Sequence, residues 1–272
     1  MPIAIEDLRR LAVERSLFPP TTLARALRQL SFVQADPIRA PARAQDLTLR
    51  HRVKGYRAGD LERRYRELDV EEDFFINYGF VAGPIGTSMH PRRKLPAWPA
   101  ARRREARSLL AFVRARGSAH PREVDEHFAR GPVTNYWGGS SSATTHLLDA
   151  MHYRGLLRVD RRERGVRIYA ERIQDPGAAG AAARREKIDA LVDVVVRCYA
   201  PLPRVSLARL VRRLRAAVPQ WAGELERALA RGDARVAGEV VDRLTVEDAL
   251  EPVAAILRDA FDRGGRIGAE EV

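Results

Sequence analysis

Apolar side chains recur every three or four residues in two short segments near the start of the chain. Residues 5–16 and the segment from Leu23 to Leu30 both show this spacing, which predicts two amphipathic helices. Thr21 or Thr22 can cap the second helix by accepting a hydrogen bond from its first turn. The apolar period then changes to two within Ser31–Arg39, which predicts a short strand that is ended by its proline.

A second segment with a period of two predicts a strand or hairpin over Val70–Val81. Its aromatic and apolar residues are expected on one face: Phe74, Ile76, Tyr78 and Phe80. The glycines and the proline of residues 83–86 then break the pattern, and the proline-rich stretch Pro91–Pro99 predicts an inter-domain linker. The interpretation is a first winged-helix-like domain over residues 1–95.

The order of helices and strands is clearest between residues 100 and 173. The apolar spacing and the glycines predict three helices: Arg102–Arg116, Pro121–Phe128, and a third that is capped by Ser140–Ser142 and reaches Tyr153. Two strands follow, Leu156–Val159 and Val166–Ala170, joined by a basic turn. Three helices and then a hairpin is the order of a winged helix-turn-helix, so the sequence predicts a second such domain here.

The third predicted helix has one apolar and one polar face. Thr144, Leu147, Leu148 and Met151 form the expected inward stripe, and the opposite side carries Ser142, Thr145, His146 and Asp149. A recognition helix would present that opposite side to DNA. The alternative is that the domain serves only for packing or dimerisation.

The last part of the chain is expected to be helical. After a Gly/Ala linker at Asp175–Ala183, helical spacing covers Arg184–Tyr199, Ser206–Ala216, Trp221–Arg231 and a tail from Val246. We interpret residues 184–272 as a helical region that could open an incomplete third winged helix. The predicted fold class is therefore mainly α with small β-hairpin wings, built of tandem winged helix-turn-helix domains.

Charge and composition narrow the function. The 272 residues include 48 Lys and Arg against 36 Asp and Glu, a net charge of +12, which favours a nucleic-acid partner over a membrane. A GC-rich genome is the alternative reason for so many arginines. The single cysteine excludes an internal disulfide, no apolar stretch is long enough to span a bilayer, and the N-terminus lacks a signal-peptide pattern, so we expect a cytoplasmic, nucleoid-associated protein. No nucleotide-binding or metal motif is present, and no cofactor or metal is expected.

Gln34 and Asp36 are the candidate catalytic pair. In an extended backbone they would project the same way, with Cα atoms about 6.6 Å apart, which suits holding one water between a proton acceptor and a second polar group. The alternative is a polar pair on the solvated face of a strand. Nine Lys and Arg residues between Ile38 and Arg66 form a basic belt next to this pair, with a solvated surface as the alternative reading.

Two motifs resemble a known family. Phe32–Ile38 with Ala42–Leu47, and Asn135–Ser141 with His152–Val159, are similar to motifs of the AlkZ/YcaQ-like winged-helix DNA glycosylases. The resemblance covers roughly residues 5–200. It implies tandem winged helices that excise alkylated purines, including crosslinked ones, through a Gln–apolar–Gln or Gln–apolar–Asp motif. Two departures are a small residue, Ala35, at the middle motif position and a C-terminal part without the family's completed third winged helix and β-rich region.

Carried over to this sequence, the family motif falls on Gln34 and Asp36. The implied partner is double-stranded DNA carrying N7- or N3-alkylated purines, bound by a monomer. The predicted DNA contacts are Arg39, Arg43, Arg50, His51, Arg52, His90, Arg92, Ser142, Thr145, His146, Arg161, Arg162, Arg164 and Arg167. Two alternatives stay open: a non-catalytic winged-helix regulator, and a protein-interaction scaffold.

Overall fold

The structure is a computed structural model that describes residues 5–36, 38–39, 41–128, 132–134, 140–173, 180–199 and 202–235. It is mostly helical with small antiparallel sheets, as predicted. The helices are α1 (Ile5–Ser16), α2 (Leu23–Leu30), α3 (Ala44–Arg50), α4 (Asp60–Arg63), α5 (Gly83–Met89), α6 (Ala100–Arg116), α7 (Pro121–Phe128), α8 (Ala143–Tyr153), α9 (Ala181–Tyr199), α10 (Arg204–Arg213) and α11 (Leu225–Arg235). The strands are β1 (Phe32–Gln34), β2 (Val70–Phe74), β3 (Tyr78–Ala82), β4 (Ser118–Ala119), β5 (Pro132–Thr134), β6 (Ser140–Ser142), β7 (Leu157–Glu163) and β8 (Val166–Glu171).

Helix α2 begins and ends as its sequence predicts. The Thr22 side chain accepts a hydrogen bond from the Arg25 N–H at 3.3 Å, and the helix buries its apolar face through Leu23 and Leu27. It ends at Ser31, whose φ of +60° is left-handed and whose N–H donates to the Leu27 carbonyl at 2.7 Å. This turn starts β1 immediately, so the helix fixes where the candidate catalytic segment begins.

The predicted hairpin over residues 70–81 is confirmed and forms a three-stranded antiparallel sheet in the order β1-β3-β2. The expectation of one shared apolar face is only partly right, because Ile76 lies in the turn and Phe74 is exposed. Gly79 lies opposite Gln34, where a Cβ would come within 2.4 Å of the Val33 carbonyl oxygen. The close approach of β1 and β3 therefore requires glycine at this position.

Residues 100–171 show the predicted order of three helices and a hairpin. Thr144, Leu147, Leu148 and Met151 are buried along α8, so its predicted inward stripe is confirmed. Strands β7 and β8 form a sheet in the order β4-β8-β7, with a bulge between Val159 and Arg161. Strand β7 reaches Glu163, four residues further than predicted, and we refer to the β7–β8 hairpin as the wing.

Two hydrophobic clusters hold the described residues together. The first runs from the N-terminal helices through the β1-β3-β2 sheet into α6, α8 and the wing, without an interruption at the predicted linker. The second packs α9, α10 and α11 against Phe32, Val81 and Met89 of the first sheet and α5. The sheet that carries β1 is thus packed on both sides, which fixes the segment leading to Asp36.

Several elements differ from the sequence-based expectation. The glycines and the proline of residues 83–86, predicted to break the chain pattern, instead lie in helix α5, because Met89 at the end of this helix is buried against the C-terminal helices. The helix predicted from Trp221 begins as a 3₁₀ turn over Pro219–Glu224 and continues as α11. The motif segment 135–139, most of the 175–183 linker and the tail from Val246 lie outside the described residues.

Candidate functional site

A cleft with a volume of about 340 Å³ lies between the segment that follows β1 and the wing. Its first side carries Asp36, Arg43 and Gln45, and its second side carries Thr145 of α8 with Arg162 and Arg167 of the wing. Tyr78 and Tyr169 also line it. The structure therefore brings Asp36 together with three of the predicted DNA-contacting residues of the second unit, although they are more than 100 positions apart.

Asp36 is half-buried and held by two local hydrogen bonds. Its Oδ1 accepts from the Ile38 N–H at 2.8 Å, and its own N–H donates to Gln45 Oε1 at 3.1 Å. Within the described part of the chain, the structure gives no hydrogen bond to Oδ2. One carboxylate oxygen thus fixes the loop, and the other can accept a proton.

Gln34 lies outside the cleft lining. Strand β1 ends at Gln34, and the exposed carboxamide accepts a hydrogen bond from Asn77 Nδ2 at 3.0 Å through its Oε1. Asn77 in turn accepts from Arg213 Nη2 of α10 at 2.6 Å. The prediction placed Gln34 and Asp36 side by side on one extended strand. In the structure β1 ends at Gln34, so Asp36 lies beyond the strand and the two side chains have different partners.

A buried polar network stands behind Asp36. Gln45 is only 2% exposed, and its Nε2 donates to Glu62 Oε1 at 3.4 Å. Glu62 also pairs with Arg43 at 2.5 Å, and Arg43 reaches Asp46 at 3.3 Å. Burial lowers the pKa of Arg43, but Glu62 and then Asp46 more than offset this, so its pKa is raised overall. Arg43, a predicted DNA contact, is thus neutralised internally.

Sequence reasoning did not assign a role to Gln45 or Glu62. Gln45 stands within the quoted segment Ala42–Leu47, and the structure shows that helix α3 buries two polar residues, Gln45 and Asp46, beside Leu49. Buried polar side chains are normally hydrogen-bonded to something specific. The partner nine residues earlier in the chain was not evident from spacing.

The wing is bound to the first sheet through Arg162. Its guanidinium makes a bidentate pair with Glu72 at 2.6 and 2.7 Å, and Glu72, which also accepts from the Tyr78 hydroxyl at 2.9 Å, is fully buried. Arg167 pairs with Asp149 of α8 at 2.9 Å and lies 5.0 Å from the centre of the Tyr78 ring. Burial, followed by Glu72, raises the pKa of Tyr78 well above its usual value, so this hydroxyl stays neutral.

The remaining predicted DNA contacts divide by exposure. Arg161 is paired with Asp160 and Glu163, whereas Arg164, in the turn of the wing, is exposed and has no ion pair among the residues described. Arg52 donates to the Thr48 carbonyl at 2.6 Å. The exposed residues are Arg39, Arg50, His51, Thr145 and His146. Ser142 is described only as part of strand β6.

His90 and Arg92 do not face solvent, which corrects their placement among the DNA contacts. The Arg92 side chain is 0% exposed, and its Nη2 donates to Asp73 Oδ1 at 2.9 Å. His90 Nε2 lies 2.5 Å from the other Asp73 oxygen. Burial opposes ionisation of Asp73, but Arg92 and then His90 outweigh it, so the Asp73 pKa is strongly lowered. His90 and Arg92 both bind the buried Asp73 carboxylate of strand β2, so we do not include them in the proposed DNA interface.

Among the described residues, no group of three or more His, Cys, Asp or Glu side chains is arranged to hold a metal ion. In the same part of the chain, none of the helices combines the length and apolarity needed to cross a membrane.

Comparisons with known proteins bear on this site. A family model described as DNA glycosylase AlkZ-like matches residues 27–263, which contain both sides of the cleft. Curated proteins give no match. Among solved structures, the Streptomyces sahachiroi DNA glycosylase AlkZ matches with a TM-score of 0.52 and 12% identity, over 84% of this chain and 65% of that chain. This likeness shows a shared fold, and the present chain spans 65% of that relative's length.

Proposed function

The chain belongs to the AlkZ-like DNA glycosylase family, and from that premise we propose that it is a monofunctional DNA glycosylase that excises N7- or N3-alkylated purines from double-stranded DNA, including purines in interstrand crosslinks. The observation that carries this proposal is the position of Asp36 in a cleft between the first sheet and the wing. We further propose that residues 1–95 and 100–173 are tandem winged helices that grip DNA on the two sides of this cleft.

The charges around the cleft support a cationic reacting group. Its three arginines, Arg43, Arg162 and Arg167, are each paired with a carboxylate, whereas the described structure records no ion pair for the lining carboxylate of Asp36, so Asp36 is the charge of the cleft that is left without a counter-ion. Negative charge that is fixed before the reaction favours positive charge that develops during it. An alkylated purine is already cationic, and loss of the base leaves an oxocarbenium-like sugar.

The proposed reaction uses water as the nucleophile. Asp36 accepts a proton from a water molecule through Oδ2 while the water oxygen bonds to the C1′ carbon of the sugar. The electron pair of the glycosidic bond moves to the purine and cancels its positive charge, so the leaving base needs no separate acid. Gln34 lies outside the cleft lining and its Oε1 is held by Asn77, so in this scheme it contributes to orienting the water only indirectly. No step calls for a metal or a cofactor.

The test is single-turnover release of N7-methylguanine from duplex DNA. Asp36→Asn keeps the shape of the side chain but removes its charge and basicity, and general-base loss costs about 10²–10⁴ in rate. Gln34→Ala should lower the rate by less, because Gln34 would orient water without accepting its proton. Binding of undamaged duplex by Asp36→Asn should not weaken, because removing a carboxylate cannot reduce attraction to phosphate.

Glu126→Gln is the matched control, since it removes an exposed carboxylate from α7, away from the cleft. It should release base at the wild-type rate. Equal rates for wild type and Asp36→Asn would remove Asp36 from the chemistry. A wild-type protein that binds duplex but releases no base would instead favour the non-catalytic DNA-binding alternative.

A further inference from the structure

A second cavity, of about 660 Å³, collects cations that are not paired with carboxylates. It lies between the segment after α5, the start of α9 and the 3₁₀ turn before α11. Arg93, Lys94 and Lys187 line it, and the structure records no ion pair for any of them within its described ranges. This contrasts with the first cleft, where each arginine is matched by an acidic partner.

The wall that carries Arg93 and Lys94 is fixed by Gln220. The Arg93 N–H donates to Gln220 Oε1 at 3.3 Å, and Gln220 Nε2 donates to the Met89 carbonyl at 3.4 Å. Lys94 has a left-handed backbone with φ of +59°, which non-glycine residues adopt rarely. The two cations are therefore presented from a backbone whose course is set by neighbouring side chains.

The opposite wall combines charge with an aromatic ring. Arg184 and Lys187 are three residues apart on α9 and so lie on one face of the helix. Arg184 is held by Glu224 at 2.8 Å, which leaves the four cations of the cavity with a formal excess of three positive charges. Trp221, half-buried against the C-terminal helices, also lines the cavity.

We propose that this cavity is a second nucleic-acid site, which takes a phosphate–base unit of an unpaired strand. Lys94, Lys187 and Arg93 would hold the phosphates, and Trp221 would stack a base. Cations combined with an aromatic platform are how proteins bind single strands without reading sequence. The same chemistry could be offered by a strand of DNA or by a free nucleotide. The site is separate from Asp36 and does not depend on whether Asp36 cleaves anything.

The test measures binding of a five-residue oligothymidylate, and separately of thymidine monophosphate, over a range of salt. Lys94→Gln/Lys187→Gln removes two charges and keeps side-chain length. Its affinity for the oligonucleotide should fall at least tenfold, and the slope of log K against log salt should flatten by about 1.4, at ~0.7 per phosphate contact. Arg104→Gln/Arg107→Gln is the matched control, since it also removes two exposed charges, on α6. It should change the affinity and the salt slope by less than the lysine variant does.

Trp221→Leu gives an independent reading, with an expected loss of about tenfold in affinity and of the fluorescence change on binding. Thermal unfolding of each variant separates this loss from misfolding, and the lysine variants test the site without touching the core. Tighter binding of the oligonucleotide than of the monophosphate assigns the site to a strand, and equal binding assigns it to a nucleotide. The proposal would be overturned if the lysine double variant and the arginine control lost the same affinity for the oligonucleotide, or if neither lost any.

Discussion

At the scale of single residues, the side-chain amide of Gln45 makes two hydrogen bonds in the candidate site that an ionised carboxylate could not make together. Gln45 accepts a hydrogen bond from the Asp36 N–H through Oε1 and donates one to Glu62 through Nε2. Both functions are needed at a position that is 2% exposed. An amide supplies an acceptor and a donor at the same time, which an ionised carboxylate does not, so Gln45 fixes the loop that presents Asp36.

Exchanging the two side chains tests this arrangement. Gln45→Glu places two buried carboxylates against each other, so the free energy of unfolding should fall by about 1–3 kcal/mol and base release by about tenfold. The double variant Gln45→Glu/Glu62→Gln restores one donor and one acceptor and should recover most of both. Urea unfolding and single-turnover release measure the effects. Exposed Gln29→Glu should resemble wild type, and a double variant as impaired as Gln45→Glu would contradict the assignment.

At the scale of elements, the wing acts mainly as a clamp on the first sheet. Counting its arginines predicts a phosphate-binding surface, but Arg161, Arg162 and Arg167 are each paired with acidic residues. Arg164 is the wing arginine that stays exposed without an ion pair in the described structure. The clamp and the DNA contact are therefore carried by different residues of one hairpin.

Single substitutions should separate the two roles. Arg164→Ala should leave the free energy of unfolding near the wild-type value. For duplex binding, it should flatten the slope of log K against log salt by about 0.9, which is the value for one phosphate contact. Arg162→Ala should destabilise the protein by about 3–5 kcal/mol, because Glu72 would stay buried without its partner. Chemical unfolding and titrations at several salt concentrations measure both. A stable Arg162→Ala protein with a flattened slope would reverse the assignment.

The sequence predicted elements better than it predicted partners. Local signals such as the threonine cap of α2 and the apolar stripe of α8 were confirmed, because they act within a few residues. Helix α5 was missed since its glycines disfavour a helix locally, and burial of Met89 overrides them. At the site, the sequence pointed to Asp36, but the Arg162–Glu72 pair joins residues 90 positions apart, which no spacing rule reaches.

At the scale of the whole molecule, the buried guanidinium of Arg92 forms hydrogen bonds to three different parts of the fold. Arg92 donates to the Ala217 carbonyl at 2.8 Å, to the Tyr153 carbonyl at 2.6 Å and to the Phe74 carbonyl at 2.8 Å, besides its pair with Asp73. These partners belong to the C-terminal helical region, to α8 and to strand β2. The segment that the sequence suggested as a linker is therefore the place where three parts of the fold are fastened together.

Two buried histidines at this junction lead us to expect that the stability of the protein depends on pH. His152 is fully buried, its Nε2 lies 2.9 Å from the Glu72 carbonyl oxygen, and its Nδ1 has no hydrogen-bond partner in the described structure. Burial is the main cause that lowers the pKa of His152, and burial likewise lowers the pKa of His90, against the opposing effect of Asp73. In the unfolded chain both histidines titrate near the ordinary value of about 6.5.

The sign of the pH effect follows from which state binds more protons. Below a pH of about 6.5 the histidines take up protons in the unfolded chain but stay neutral in the folded protein. The free energy of unfolding should therefore decrease as the pH is lowered, by up to about 1.4 kcal/mol per pH unit for each histidine. His152→Gln keeps a donor toward the Glu72 carbonyl and removes one titrating group, so its melting temperature should drop less than that of wild type between about pH 7 and pH 5.5. His146→Gln, exposed on the same helix, should follow wild type. Identical pH profiles for all three proteins would show that His152 accepts its proton in the folded state, and the junction would then owe its pH response to other groups.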